Sequence, residues 1–168
     1  FIWNVNRYIQ RLQELNPKLA YICNPNNPTG NLIHQTDIEQ LVRKFPDTLF
    51  LIDEAYFEFA GITSVSLICE CSNIIVSRTF SKAFALANFR IGYAMSCREN
   101  IEKLSLLRNA KNISTFSQEA ACGVLEDVNY TQDYVNEVVE TRSWFSTELQ
   151  QMQGVKAVFA SSANFVLV

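Results

Sequence analysis

Three short clusters hold the residue types that do chemistry. Asn24-Pro25-Asn26-Asn27-Pro28-Thr29-Gly30 supplies side-chain amides and a hydroxyl. Asp53-Glu54-Ala55-Tyr56 supplies acids and a phenol, and Ser77-Arg78-Thr79-Phe80-Ser81-Lys82 supplies hydroxyls and an amine. Each cluster directly follows a short apolar run, at residues 19–23, 49–52 and 74–76. In an open α/β sheet, ligands collect outside the carboxyl ends of the parallel strands. Neighbouring strands lie about 5 Å apart, so three such ends can face one ligand together. Convergence is the informative feature, because each residue has an ordinary use of its own. A lysine in a helical stretch is usually solvated, Asp53 could cap the following turn, and Tyr56 could be a core aromatic. Glu54 reads as a solvent-facing or structural acid, Arg90 could pair with any surface acid, and Arg78 and Arg108 carry no assignment.

The elements that must position these clusters follow from periodicity. Val5, Tyr8, Ile9, Leu12 and Leu15 fall on one face of an opening helix that stops near Pro17. Thr36 with Glu39 reads as a capping box, and Ile38, Leu41, Val42 and Phe45 give the helix it opens one apolar face. The short runs are apolar on both faces and alternate with helical stretches, which predicts a mostly parallel sheet covered by helices. Residues 91–95 predict a fourth strand, antiparallel at the edge. Ser96/Glu99 and Thr115/Gln118 read as two further capping boxes. A long helix follows with Tyr134, Val138, Phe145, Leu149 and Met152 on one stripe, ended by Gly154. Residues 155–159 and 164–168 read as the first strands of another unit. Pro25 and Pro28 shape a turn; a cis bond before either is a minority state. His34, in a polar loop, has no catalytic role.

Composition excludes several classes. The chain has 168 residues, 48% apolar and 18% charged, with five Gly and four Pro, so it is neither disordered nor fibrous. The longest apolar runs, 19–23 and 83–87, are too short to span a membrane. A net charge of −3 and a pI near 5.2 disfavour nucleic acid. Five scattered cysteines and one histidine fit reduced core residues of a cytoplasmic protein and no metal cluster. The start at Phe1 without Met predicts a piece of something longer.

The segments Asn24 to Gly30, Asp53 to Tyr56 and Thr79-Phe-Ser-Lys-Ala-Phe-Ala-Leu-Ala-Asn-Phe-Arg90 resemble the fold type I pyridoxal-phosphate aminotransferases. The Ser81 to Ala87 stretch is most similar to histidinol-phosphate aminotransferases. The resemblance covers essentially the whole chain. It implies a three-layer α/β large domain with a mostly parallel sheet, residues 1–130 forming its central part, and 131–168 an interdomain helix and the start of a small C-terminal α/β domain.

It further implies a catalytic Lys82 that holds pyridoxal 5'-phosphate as a Schiff base and then shuttles a proton. Asp53 would face the pyridine nitrogen, and Tyr56 and Asn27 the ring's phenolic oxygen. Ser81, Thr79 and Arg90 would bind the phosphate, Arg90 bidentately. The implied function is transfer of an amino group between a small-molecule amino donor and a keto or phosphorylated acceptor, in a homodimer. The alternatives are a decarboxylase of a phosphorylated amino acid on the same fold, which would share these residues, and a non-catalytic binding domain. Family members are longer, so a phosphate-contacting turn and a ring-stacking aromatic are expected upstream, and a carboxylate-binding arginine downstream. An isolated 168-residue chain would bind the cofactor poorly and would have an exposed sheet edge, an aggregation liability.

Overall fold

The computed structural model describes residues 3–109 and 112–168. Helix α1 (Val5–Leu15) is opened by Asn4, whose side chain accepts the Arg7 N–H, and closed by Asn16 in the left-handed region. Both caps satisfy backbone groups that the helix itself cannot. Strand β1 (Leu19–Cys23), helix α2 (Gln35–Lys44), strand β2 (Leu49–Asp53), the short helix α3 (Phe57–Ala60), and strands β3 (Ile74–Thr79) and β4 (Gly92–Ser96) follow. Helices α4 (Arg98–Leu106), α5 (Thr115–Glu126) and α6 (Val128–Gln151) come next, and residues 152–168 follow without helix or strand.

The sheet order is β1-β2-β3-β4. β1, β2 and β3 run parallel, and β4 is the antiparallel edge that the sequence predicts. Ala20, Ile22, Phe50, Ile52, Ile74 and Val76 point to one face. There they meet Ile9 and Leu12 of α1 and Ile38, Leu41 and Val42 of α2 in the main core. Phe50, Ile38, Leu41, Ile52 and Ile74 are completely buried. The opposite face differs from the two-sided apolar expectation at β1, where Leu19 and Tyr21 are 56% and 54% exposed. Register puts Cys23, Asp53 and Ser77 side by side on that second face at the carboxyl ends of three parallel strands. A second cluster joins Tyr56, Phe59 and Ala83 to Val135 of α6 and Ala163, so α6 holds the loops after β2 and β3 in place.

Several local expectations are corrected. Thr36 and Glu39 form no capping box, because α2 begins two residues earlier than that box requires, with His34 at the cap and no side-chain cap bond. At α4 the Ser96 hydroxyl is drawn off to the Ile74 carbonyl at 2.5 Å, and Cys97 takes the cap position. At α5 the cap is Ser114, which accepts the Ser117 N–H at 3.0 Å, and Gln118 donates to the Ile113 carbonyl. On α6 the buried line is Thr131, Val135 and Leu149, while Tyr134, Phe145 and Met152 are exposed. Residues 155–159 and 164–168 form no strands; one backbone bond, Phe159 N–H to the Leu167 carbonyl at 2.9 Å, joins them. Two strands alone are marginal, and no described strand lies beside them to extend a sheet. Both the Asn24–Pro25 and the Asn27–Pro28 bonds are cis.

Candidate active site

The turn after β1 is built around Asn24. Its buried amide donates to the Ile33 carbonyl at 3.1 Å and accepts the Ile33 N–H at 2.7 Å, closing the loop on itself. Gly30 (φ +73°) occupies the left-handed region at the end of the turn, which glycine enters at little cost. Its carbonyl accepts the Ser162 N–H at 2.7 Å, tying the turn to the segment after α6. Asn27, at the tip, donates from Nδ2 to the Tyr56 hydroxyl at 2.9 Å.

Tyr56 lies between β2 and α3 and is 4% exposed, its ring edge-on to Phe165 with centroids 5.2 Å apart. The Lys82 Nζ stands over the Tyr56 ring, 5.3 Å from its centroid, within the range where a cation and an aromatic face attract. Lys82 is thus held in a bend rather than the helical stretch assumed from sequence. That bend is set by Phe80, whose N–H donates to the Ile91 carbonyl, by the Leu86 N–H returning to Phe80, and by Ala85 at φ +56°. A left-handed alanine costs about 1 kcal/mol or more, and such strain clusters at functional sites.

Asp53 ends β2 with its carboxylate surrounded by donors. Tyr21 Oη donates to Oδ2 at 2.6 Å, and the Ala55 N–H and the Ser77 hydroxyl donate to Oδ1 at 3.1 and 3.4 Å. Thr79 Oγ1 accepts the Ser81 N–H at 3.0 Å, fixing the two hydroxyl residues in one turn. Arg90 is exposed and left-handed (φ +52°). It precedes Ile91, whose carbonyl accepts from Phe80, so its backbone adjoins the Thr79–Ser81 turn while its Nη1 donates to the Ala87 carbonyl at 2.9 Å. The fold therefore brings Asn27, Tyr56 and Lys82 into contact and sets Asp53, Thr79 and Ser81 on adjoining strand ends. Arg90 flanks them with its guanidinium turned to its own loop.

Glu54, for which solvent exposure or a structural role was open, is wholly buried. It accepts from Arg78 Nε and Nη2 at 3.0 and 2.9 Å, from Thr63 Oγ1, and from the Ser64 N–H at 2.6 Å. Arg78 also stacks on Phe57, its Cζ 3.4 Å from the ring centroid. This pair locks the end of β2 to β3 and leaves Asp53 facing the other way, as alternation along a strand requires. Reading the sequence missed Tyr21, Arg78 and Phe165. Tyr21 had one available signal, a phenol two residues before Cys23 inside an otherwise apolar run, but using it required the β1–β2 register.

Among the described residues no group of His, Cys, Asp and Glu could hold a metal ion, and no helix is long and apolar enough to cross a membrane. An amine beside a phenol and an amide, a carboxylate, two hydroxyls and a guanidinium together fit a phosphorylated heterocyclic aldehyde. The carboxylate suits a ring N–H, the amide and phenol an anionic ring oxygen, and the hydroxyls and guanidinium a phosphate.

The model of the family described as aminotransferase class I and II matches residues 4–168. A dihydroxyacetone phosphate transaminase of Campylobacter jejuni is 47% identical over 159 residues, 94% of this chain and 43% of that protein. A histidinol-phosphate aminotransferase of Caldanaerobacter subterraneus is 40% identical over 167 residues, 99% of this chain and 47% of that one. Among solved structures, the histidinol-phosphate aminotransferase of Sinorhizobium meliloti, in complex with pyridoxal-5'-phosphate, superposes with a TM-score of 0.88 at 27% identity, over 97% of this chain and 45% of that one. The chain spans somewhat less than half the length of these relatives.

Proposed function

From the premise that this chain belongs to the class I and II aminotransferases, we propose that it carries the cofactor site of a pyridoxal-phosphate-dependent aminotransferase of the histidinol-phosphate type. The single observation behind this reading is the meeting of three motifs far apart in sequence. The Asn27 amide donates to the Tyr56 phenol at 2.9 Å, and the Lys82 amine stands 5.3 Å from the Tyr56 ring centroid.

When bound, pyridoxal phosphate supplies an electron sink for a substrate carbanion. Lys82 would hold the cofactor through its amine and would carry a proton at its Nζ. Asp53 holds the ring nitrogen, and Tyr56 and Asn27 hold the ring oxygen. Thr79 and Ser81 would donate to the phosphate from one turn, and Arg90, whose guanidinium donates to the Ala87 carbonyl in this structure, would supply the positive charge beside it. The substrates are a small-molecule amino donor and a keto acceptor, one of them a phosphate monoester. The two relatives named above both act on phosphorylated compounds by name, which supports that choice.

The same reading includes a division at residue 130, a homodimer and a cytoplasmic location. The 24-residue α6, which crosses that boundary, supports an interdomain helix. Leu106, Leu107 and Phe116, 86%, 83% and 75% exposed, offer apolar surface that a second subunit would cover. Five free cysteines fit a reducing compartment.

Borohydride treatment of the intact protein with pyridoxal phosphate should add the cofactor mass to the peptide containing Lys82, and Lys82→Ala should abolish it. Keto-acid formation from an amino donor then marks transfer. No mass addition, or addition that survives Lys82→Ala, would refute the reading; carbon dioxide release would replace it with decarboxylation.

A further inference from the structure

Resting on the reading above, in which Asp53 holds the ring nitrogen, a second question concerns what holds Asp53. Tyr21 lies on β1 opposite Leu51, and Cys23 lies opposite Asp53. Side chains two apart share a face, so the Tyr21 ring reaches diagonally along the sheet to the Asp53 carboxylate. Its hydroxyl donates to Oδ2 at 2.6 Å, within the range of a short hydrogen bond to a charged oxygen. The other oxygen, Oδ1, takes the Ala55 N–H and the Ser77 hydroxyl. Each carboxylate oxygen accepts about two hydrogen bonds, so Oδ2 keeps one lone pair free.

We propose that Tyr21 is a positioning residue that fixes Asp53 Oδ2, so that its remaining lone pair is presented to the N–H of the cofactor ring. Tyr21 acts through Asp53 and touches no reacting atom. Partial burial, with the hydrogen bond and charge of Asp53, pushes the Tyr21 phenol well above its ordinary value. The protonated phenol is the form that can donate to a carboxylate oxygen. The ring is 54% exposed, so loss of the hydroxyl leaves the main core intact.

The test uses the intact protein with two probes, pyridoxal 5'-phosphate and its 1-deaza analogue, in which C–H replaces the ring nitrogen. Equilibrium dialysis of Tyr21→Phe should show about tenfold weaker binding of pyridoxal phosphate, the loss of one hydrogen bond to a charged group. Binding of the deaza analogue should be unchanged, and Tyr21→Phe should have no further effect on an Asp53→Asn background. Without any cofactor, Asp53→Asn should lower the pH at which Tyr21 ionises, read as a phenolate difference spectrum against Tyr21→Phe. Equal weakening for both probes would reduce Tyr21 to packing and overturn the inference, as would no weakening. If the wild-type protein captures neither probe on Lys82, the functional reading fails first and this inference falls with it. Capture by the wild type with no Tyr21 effect overturns this inference alone.

Discussion

Replacing Gly30 by alanine tests how the amide-bearing turn is held. A Cβ built on Gly30 lies 2.2 Å from Ser161 Oγ, 2.5 Å from Ser161 Cβ and 2.9 Å from Ser161 Cα. The hydroxyl can rotate away, but the Cβ and the backbone cannot, so the turn and the segment after α6 must separate. Gly61 is the internal control, since its φ of +69° is nearly that of Gly30 and nothing lies within 4 Å of its Cβ position. Gly61→Ala carries only the left-handed cost, about 1 kcal/mol. Gly30→Ala adds overpacking of about 1–3 kcal/mol and about 1 kcal/mol for the weakened Ser162 N–H to Gly30 carbonyl bond. The expected loss is therefore about 3–5 kcal/mol, a large share of a typical domain's stability. Urea unfolding of the intact protein measures both variants. Ser161→Gly removes two of the three close atoms, so a double-mutant cycle with Gly30→Ala should return about 1–2 kcal/mol of coupling. Asn27 lies on the same turn, so Gly30→Ala should also weaken cofactor retention, and Gly61→Ala should not. Equal losses at Gly30 and Gly61 with no coupling to Ser161 would show that the approach is not tight, and the reasoning would fail.

Other outcomes follow from the same geometry. Arg78→Met strands a completely buried Glu54 and should cost about 3–5 kcal/mol in urea unfolding, with a large part recovered by adding Glu54→Gln. Additive losses would refute the pairing. Glu58 Oε2 is buried without a partner, and burial holds its carboxyl above the ordinary carboxylate value, opposed by its own backbone N–H and by Arg78. Native Glu58 therefore keeps its proton to higher pH than the unfolded chain does. Its contribution is intact below the ordinary value and lost as pH rises through the raised one. Glu58→Gln should gain in Tm over wild type between pH 4 and pH 7, and a constant gap would contradict this. Gly123 lies inside α5 with open space at its Cβ position, so Gly123→Ala should stabilise by about 0.5–1 kcal/mol; a loss in thermal unfolding would count against open space at that position.

Much of this protein was legible before folding was considered. Apolar runs at residues 19–23, 49–52 and 74–76 became β1, β2 and β3, and the clusters after them meet at one end of the sheet. Those signals are local, since periodicity and turn chemistry act within a few residues. Helix starts were less secure, because Ser96 had a second use for its hydroxyl at Ile74 and Ser114 outcompeted Thr115 at the cap.

Only the tertiary structure decided matters that depend on register and on segments distant in sequence. A slip of one residue between β1 and β2 would turn Tyr21 away from Asp53. Glu54 and Asp53 are adjacent acids, yet alternation sends one inward to Arg78 and the other to the site. The packing of Gly30 on Ser161 joins the turn after β1 to the segment after α6. No local pattern encodes such contacts, because each arises from where two separately folded pieces of backbone come to lie against one another.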